Sequence, residues 1–173
     1  MNTPTKAITI RDPWAQAIVH GPKRVENRSQ RLRKMLGERV AVHVSQAIDR
    51  DAWRELYENR KYPGDVPKYE ATDVLHYLGH IIGSVRLIGW VDSKDNRARI
   101  LDPGPWADSR GVMDPDGHWV ESAVIEHVRG DDWWQGPVGW LLDDVIEYRP
   151  VEARGMPGFW TVDEDIREKL EEI

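Results

Sequence analysis

The chain has 173 residues, and this length is enough for one domain with a hydrophobic core. Its composition, with 40% hydrophobic and 31% charged residues, is that of an ordinary globular protein. It contains no cysteine, so disulfides, thiolate chemistry and a cysteine-based zinc site are excluded. The net charge of −6 argues against strong non-specific nucleic-acid binding by the chain as a whole.

The first elements predicted along the chain are a strand over residues 6–10 and a short helix over residues 13–20. We expect the Asp12 side chain to cap this helix, and Pro13 suits the first helical position because its missing N–H costs nothing there. Gly21 is the natural residue for the left-handed position that ends a helix.

The next segment, residues 22–28, alternates with the period of a strand and is rich in charge. On such a strand Glu26 and Arg28 share one face and Lys23 lies on the other, unless a bulge at the start brings it round. A bulged strand would hold a carboxylate, a guanidinium and an ammonium beside Trp14. A solvated surface with weak ion pairs is the other interpretation, and spacing alone leaves both open.

Positive charge is concentrated in the first 40 residues, which hold nine Lys/Arg and three Asp/Glu. The rest of the chain is therefore strongly acidic, and it would confine any contact with a phosphate backbone to this basic stretch. For Arg31, Arg33 and Lys34 a plain solvated face is an equally good interpretation. The cations concerned are Lys23, Arg24, Arg28, Arg31, Arg33, Lys34 and Arg39.

The later part of the chain alternates predicted strands and helices. Residues 39–45 give the firmest strand signal, with Ser45 at its end, and a long strand over 80–91 contains Gly83 and Gly89, which would mark bulges. Residues 93–118 read as a long excursion, either a lid or a decoration. The other predictions are a helix over 50–60 capped by Asp49, a loop over 61–68, a helix over 70–78, a turn over 131–136, strands over 138–148, 151–154 and 159–162, and an acidic helix over about 163–173 capped by Asp163, with 118–128 left between strand and helix.

The octet Gly21-Pro22-Lys23-Arg24-Val25-Glu26-Asn27-Arg28 resembles the G-x-K-x-x-E-x-R motif of the ASCH family, the activating-signal-cointegrator homology domains. Residues 8–15, 136–142 and 158–160 resemble the opening strand with its "PWA" helix start, the late strand and the closing "G-x-W" segment of that family, in the same order. The resemblance implies an α+β fold, a PUA-like mixed β-barrel flanked by short helices, formed by residues 1–173 as a single domain.

The resemblance also implies a cleft between the first helix and the sheet, lined by the motif residues and suited to a nucleotide or a flipped base. Trp14 would stack on a base, Glu26 would accept from an amino or imino edge, and Lys23 and Arg28 would meet phosphate or carbonyl oxygens. We therefore predict a module that binds RNA or single-stranded DNA, including a base that carries a modification. The predicted contact residues are Trp14, Lys23, Arg24, Glu26, Arg28, Arg31, Arg33 and Ser45.

Two other functions remain open. Some small ASCH proteins resemble amidohydrolases acting on acylated cytidine and others resemble ribonucleases, and Lys23 and Glu26 would then be catalytic. Glu26 stands where the amidohydrolases have a threonine, which puts that mechanism in doubt. In the third hypothesis the motif is a buried ion-pair network that only shapes the fold.

No cofactor and no metal site is predicted. Six histidines are scattered, and although His76 and His80 have a zinc-compatible spacing, Gly79 falls between them and no third ligand is evident. Phosphate-binding glycine loops and a nucleophile elbow are absent from the sequence. The chain has no apolar start and no apolar run of 18 residues, so we expect a cytoplasmic protein without a membrane partner; the sequence does not indicate an oligomeric state.

Overall fold

The computed structural model describes residues 3–58, 76–101, 121–171 and 173. It is an α+β fold with short helices and a mixed sheet. Predictions that fall on residues 59–75 and 102–120, including the loop over 61–68, most of the helix over 70–78 and most of the excursion, lie outside the described residues. The elements are β1 (Lys6–Asp12), α1 (Trp14–Val19), β2 (Val25–Arg28), β3 (Arg39–Ile48), α2 (Arg50–Trp53) with a π-helical turn (Arg54–Glu58), β4 (His80–Asp92), β5 (Arg97–Ile100), α3 (Glu121–Arg129), β6 (Val138–Glu152), β7 (Phe159–Thr161) and α4 (Glu164–Arg167).

The described strands are hydrogen-bonded in the order β2-β6-β4-β3-β1-β7, with β5 paired to β4. β1 runs parallel to β3, whereas the pairs β1–β7, β2–β6 and β4–β5 are antiparallel. A barrel requires its first and last strands to exchange backbone hydrogen bonds. Among the described strands β2 and β7 stand at opposite ends of the order and are not paired, so the predicted closed barrel is wrong for this part of the chain and the sheet is open.

The chain separates into two compact units. Unit 1 contains residues 1–23, 39–85 and 145–173, and unit 2 contains residues 24–38 and 86–144, so β4 and β6 each pass through both. The core of unit 1 includes Ala7, Ala41, Ile81, Tyr148, Ala153, Trp160 and Val162. The core of unit 2 includes Val25, Ile88, Val91, Val124, Ile125, Val128 and Leu141.

The start of α1 differs from its prediction. The helix begins at Trp14, and Pro13 occupies the N-cap position without a side-chain hydrogen bond. Asp12 is fully buried and accepts a hydrogen bond at 2.5 Å from Nε2 of Gln16 instead of capping the helix. The side chain of Asp12 therefore binds a side chain within α1.

The end of α1 shows why residue 21 is a glycine. His20 closes the helix in the right-handed conformation, and Gly21 is not among the residues with positive φ, so the left-handed prediction was wrong. A Cβ at Gly21 would lie 2.8 Å from the carbonyl oxygen of Ala17. Close approach of the backbone, and not φ, excludes a side chain here.

The strands β3 and β6 run further than their sequence signals. β3 continues through Ser45 to Ile48, and β6 runs without a break to Glu152, so the separate strand predicted over 151–154 is its last part. The start of the predicted excursion is a hairpin, with a turn over residues 93–96 followed by β5. A Cβ at Gly89 would lie 2.5 Å from the carbonyl oxygen of Arg99, so this glycine makes room for β5.

The helices follow local signals more closely. Asp49 caps α2 as predicted, accepting from the backbone N–H of Ala52 at 3.0 Å. The segment 118–128, for which the sequence favoured neither strand nor helix, overlaps the helix α3. The helix α4 is shorter than the acidic helix predicted over about 163–173. Asp163 occupies its N-cap position but makes no side-chain hydrogen bond to it. Of the helices that the structure describes, each is too short or too polar to cross a bilayer.

The buried pair of Asp12 and Gln16 makes the stability of the fold depend on pH. Burial raises the pKa of Asp12 to about 6 from 3.8, and the hydrogen bond from Gln16 only partly offsets it. Oδ2 of Asp12 and Oε1 of Gln16 have no hydrogen-bond partner among the described residues. Burial without compensating donors disfavours the charged form, so the neutral acid suits this site better than the carboxylate.

We therefore expect Asp12→Asn to stabilise the protein above pH 6. Because folding raises the pKa of Asp12, the protonated acid contributes to the stability of the folded state. This contribution is complete below about pH 3.8 and is lost as the pH rises through about 6. At pH 8 the substitution should add roughly 2 to 3 kcal/mol to the free energy of unfolding, and at pH 4 much less. Urea unfolding at both pH values measures the difference, with the exposed Asp132→Asn as control; an equal effect of Asp12→Asn at both values would contradict the assignment.

Candidate nucleic-acid interface

The predicted motif is divided between the two units. Gly21 and Lys23 belong to unit 1, whereas Arg24, Glu26 and Arg28 belong to unit 2.

In unit 1 the side chain of Lys23 lies against Trp14. Nζ of Lys23 is 5.8 Å from the centroid of the Trp14 ring, and the residue is only 1% exposed. Its backbone N–H donates to the carbonyl of Ala17 at 3.1 Å, which ties it to the last turn of α1. Lys23 precedes β2, which begins at Val25, so strand alternation does not set its direction. A buried ammonium on an aromatic face is a cation–π pair protected from water.

In unit 2 the antiparallel pairing of β2 with β6 places Glu26 opposite Trp140. Nη2 of Arg28 lies 3.2 Å from Oε1 of Glu26, and the guanidinium carbon lies 5.2 Å from the centroid of the Trp140 ring. Trp140 is itself oriented by its indole N–H, which donates to the carbonyl of Gln30 at 2.8 Å. The ion pair and the aromatic ring together hold the guanidinium in one place.

The exposure of this group differs from atom to atom. The Glu26 side chain is 10% exposed and that of Arg28 is 29% exposed, so solvent reaches part of the Arg28 side chain. Nε of Arg28 is buried and has no acceptor among the described residues. A buried donor without an acceptor costs free energy.

Arg31 has a different environment, although it also stacks on a tryptophan. Its guanidinium carbon lies 5.1 Å from the centroid of the Trp90 ring, Nε donates to Oδ2 of Asp92 at 2.8 Å, and Nη2 pairs with Asp95. Both carboxylates come from the end of β4 and the turn that follows it. Arg31 thereby attaches the segment after β2 to the β4–β5 hairpin.

Asp92 is the centre of that attachment. Its Oδ1 accepts from the backbone N–H groups of Lys94 and Asp95, at 3.0 and 3.3 Å. Burial alone would raise the pKa of Asp92, but Arg31 and the two N–H groups bind the ionised form and hold the pKa below its ordinary value. Asp92 is 7% exposed, and the guanidinium of Arg31 neutralises its negative charge.

The other predicted contact residues are scattered. Arg24, in unit 2, is half-buried; burial lowers its pKa, and the nearby Asp143 acts in the opposite direction. Arg33 is exposed. Ser45, in unit 1, accepts from the backbone N–H of Ala47 through its hydroxyl. Of these three, Arg33 is the one whose side chain is open to solvent.

Sequence reasoning missed the three residues that organise these groups: Trp140, Trp90 and Asp92. The segment containing Trp140 resembled a late strand, but its partner strand and register are not visible in the sequence. Trp90 and Asp92 do not belong to any motif recognised in the sequence. The described residues contain no group of three or more metal-ligating side chains.

The comparisons with known proteins are limited to structure. No protein-family model and no curated protein matches this chain. It is similar to the crystal structure of ASCH from Zymomonas mobilis, with 16% identity and a TM-score of 0.43 over 95% of this chain and 91% of that one. For a serine-to-alanine mutant of that protein the values are 16% and 0.44, over 98% and 96%. These are proteins of the family that the motif resembles.

Replacing Arg31 should destabilise unit 2. Arg31→Ala would leave the buried Asp92 carboxylate without its guanidinium and remove the packing on Trp90, at a cost of about 2 kcal/mol or more in unfolding free energy. Arg33→Ala, two residues further along and exposed, should change it by less than about 0.5 kcal/mol. Urea unfolding of both variants at pH 7 makes the comparison, and equal stabilities would show that Arg31 does not hold the hairpin.

Proposed function

We propose that the protein binds RNA or single-stranded DNA and that Glu26 and Arg28 contact a base. The observation that carries this proposal is the Arg28 guanidinium held over Trp140 beside the Glu26 carboxylate. Single-stranded nucleic acids are read by stacking on aromatic rings or guanidinium planes together with hydrogen bonds to base edges. Both kinds of group are present here within a few ångströms.

The geometry suits a base because the guanidinium is fixed before any ligand arrives. Trp140 covers one side of the group and Glu26 fixes its edge, so little side-chain freedom would be lost on binding. The outer side of the guanidinium offers a plane for a base. The carboxylate only accepts hydrogen bonds and therefore favours an edge that carries an amino or imino group.

Lys23 and Trp14 are proposed contacts for the same function. Their cation–π pair in unit 1 supplies a fixed positive charge that would attract a phosphate or carbonyl oxygen. We further propose that the domain is of the ASCH type with a PUA-like arrangement, supported by the match of Gly21, Lys23, Glu26 and Arg28 to the family motif. A base that carries a modification is among the proposed ligands.

Substitution of Arg28 by lysine tests the role of the guanidinium plane. Lysine keeps the charge but has neither the plane nor the forked donors, so Arg28→Lys should weaken binding of single-stranded RNA or DNA about tenfold or more. Arg28→Ala should weaken it at least as much. Fluorescence anisotropy with labelled oligonucleotides measures both, and thermal unfolding of each variant checks that it is folded.

The matched control is Arg33→Lys, an exposed arginine in the same segment. It should bind like the wild type. If Arg28→Lys also binds like the wild type, the guanidinium acts only as a charge and the base-reading role is wrong. If the wild type binds neither RNA nor DNA at low salt, the nucleic-acid function itself is wrong.

Hydrolysis is the second candidate, and the observation in its favour is the buried Lys23. A lysine protected from water is the kind of residue that serves as a nucleophile or base. Glu26 is the other proposed catalytic residue, as an acid or base. If the protein is an enzyme, RNA or an acylated cytidine incubated with it should yield product, and Lys23→Ala should abolish the product without unfolding the protein. Chromatography of the nucleic acid after the binding experiment detects this; intact substrate throughout would rule the hydrolase out.

A further inference from the structure

The β4–β5 hairpin has one face in the core of unit 2 and one face turned away from it. Ala98 and Ile100 pack against the core cluster, whereas Arg97 and Arg99 are exposed. Alternation along a strand puts both arginines on the same face. The hairpin was not visible in the sequence, where these residues fell in the predicted excursion.

The register of the hairpin shows what else lies on that face. Arg99 is opposite Trp90 and Arg97 is opposite Asp92, and residues directly opposite in an antiparallel pair share a face. The guanidinium of Arg31 stacks on Trp90. The outward face therefore combines two exposed arginines with an arginine–tryptophan stack.

The charge of this region is opposite to that of the whole chain. Residues 24–38 and 86–101, all in unit 2, carry nine Lys/Arg and four Asp/Glu, whereas the chain has a net charge of −6. The two carboxylates of the hairpin, Asp92 and Asp95, are both paired with Arg31. Arg97 and Arg99 have no ion pair with any described residue. Both side chains are exposed.

We propose that the outward face of the β4–β5 hairpin, with Arg97, Arg99 and the Arg31–Trp90 stack, binds the phosphodiester backbone of a single-stranded nucleic acid. This rests on the nucleic-acid function proposed above and adds a second contact surface to it. Side chains two residues apart on a strand are about 7 Å apart. That distance is similar to the separation of successive phosphates in an extended single strand, so each arginine meets its own phosphate.

The chemistry of the face favours a nucleic acid over an acidic protein. Guanidinium groups bind phosphate oxygens through two parallel hydrogen bonds. The exposed part of Arg31, backed by Trp90, offers a plane on which a base stacks, as on the platforms of other single-strand binders. An acidic peptide would use the charges but leave this plane without a partner.

The test is the salt dependence of binding by Arg97→Gln/Arg99→Gln, measured by fluorescence anisotropy with a single-stranded oligonucleotide of about 16 nucleotides. Loss of two phosphate contacts should reduce the slope of log K against log salt by about 1.4 and weaken binding about tenfold or more near 0.1 M salt. The control is Arg11→Gln/Arg154→Gln, which removes two exposed arginines from unit 1 and so changes the net charge equally. It should keep the wild-type slope.

The outcomes separate this inference from the proposed function. If the wild type binds and both double variants have its slope, the hairpin face is not a binding surface, although the protein still binds nucleic acid. If both double variants lose slope equally, net charge and not this face is responsible. If polyglutamate at equal charge concentration displaces the oligonucleotide, the face binds anions in general, and its proposed preference for nucleic acid is wrong. If the wild type does not bind at all, both proposals fail.

Discussion

The antiparallel pairing of β2 with β6 is the constraint on which the candidate site in unit 2 depends. It sets Val25 against Leu141 in the core and Glu26 against Trp140 on the other side of the strand pair. Because side chains alternate with a period of two, a slip of one residue would put the carboxylate into the core and the valine outside. The buried apolar pair therefore fixes the register, and the register brings Arg28 and Glu26 to the tryptophan.

Two arginines only three residues apart are used in different ways. Each guanidinium stacks on a tryptophan, but among the described residues Arg31 is held by two carboxylates, whereas Arg28 is held by one and has a donor without an acceptor. The first arrangement joins two segments of unit 2 and is also part of the proposed hairpin face. The second leaves part of a positioned cation for a ligand. A count of positive charges cannot separate these roles, because the difference lies in the number of carboxylates that tertiary structure brings to each group.

Local signals predicted the elements that depend on local chemistry. The strands β3 and β4 are recognisable from runs of β-branched and apolar residues, and Asp49 caps a helix because its side chain needs only the next few residues. Some failures are local, since Asp12 does not cap α1 and Gly21 does not have a positive φ, but the larger ones are non-local. Closure of a barrel depends on pairing between strands far apart in sequence, and β5 is defined by the strand that it joins, since its own residues alternate arginine with small or apolar side chains.

The sequence by itself determined which residues carry the chemistry of the motif, because Lys23, Glu26 and Arg28 are recognisable from their identities and spacing. Only the tertiary structure decided their partners: Trp14 for Lys23, and Trp140, more than a hundred residues away, for Arg28. It also decided that Arg31 holds a hairpin and that Arg97 and Arg99 point away from the core. The physical reason is that strand register and burial, which select the neighbours of a side chain, are set by contacts between distant segments and are not written in any local pattern.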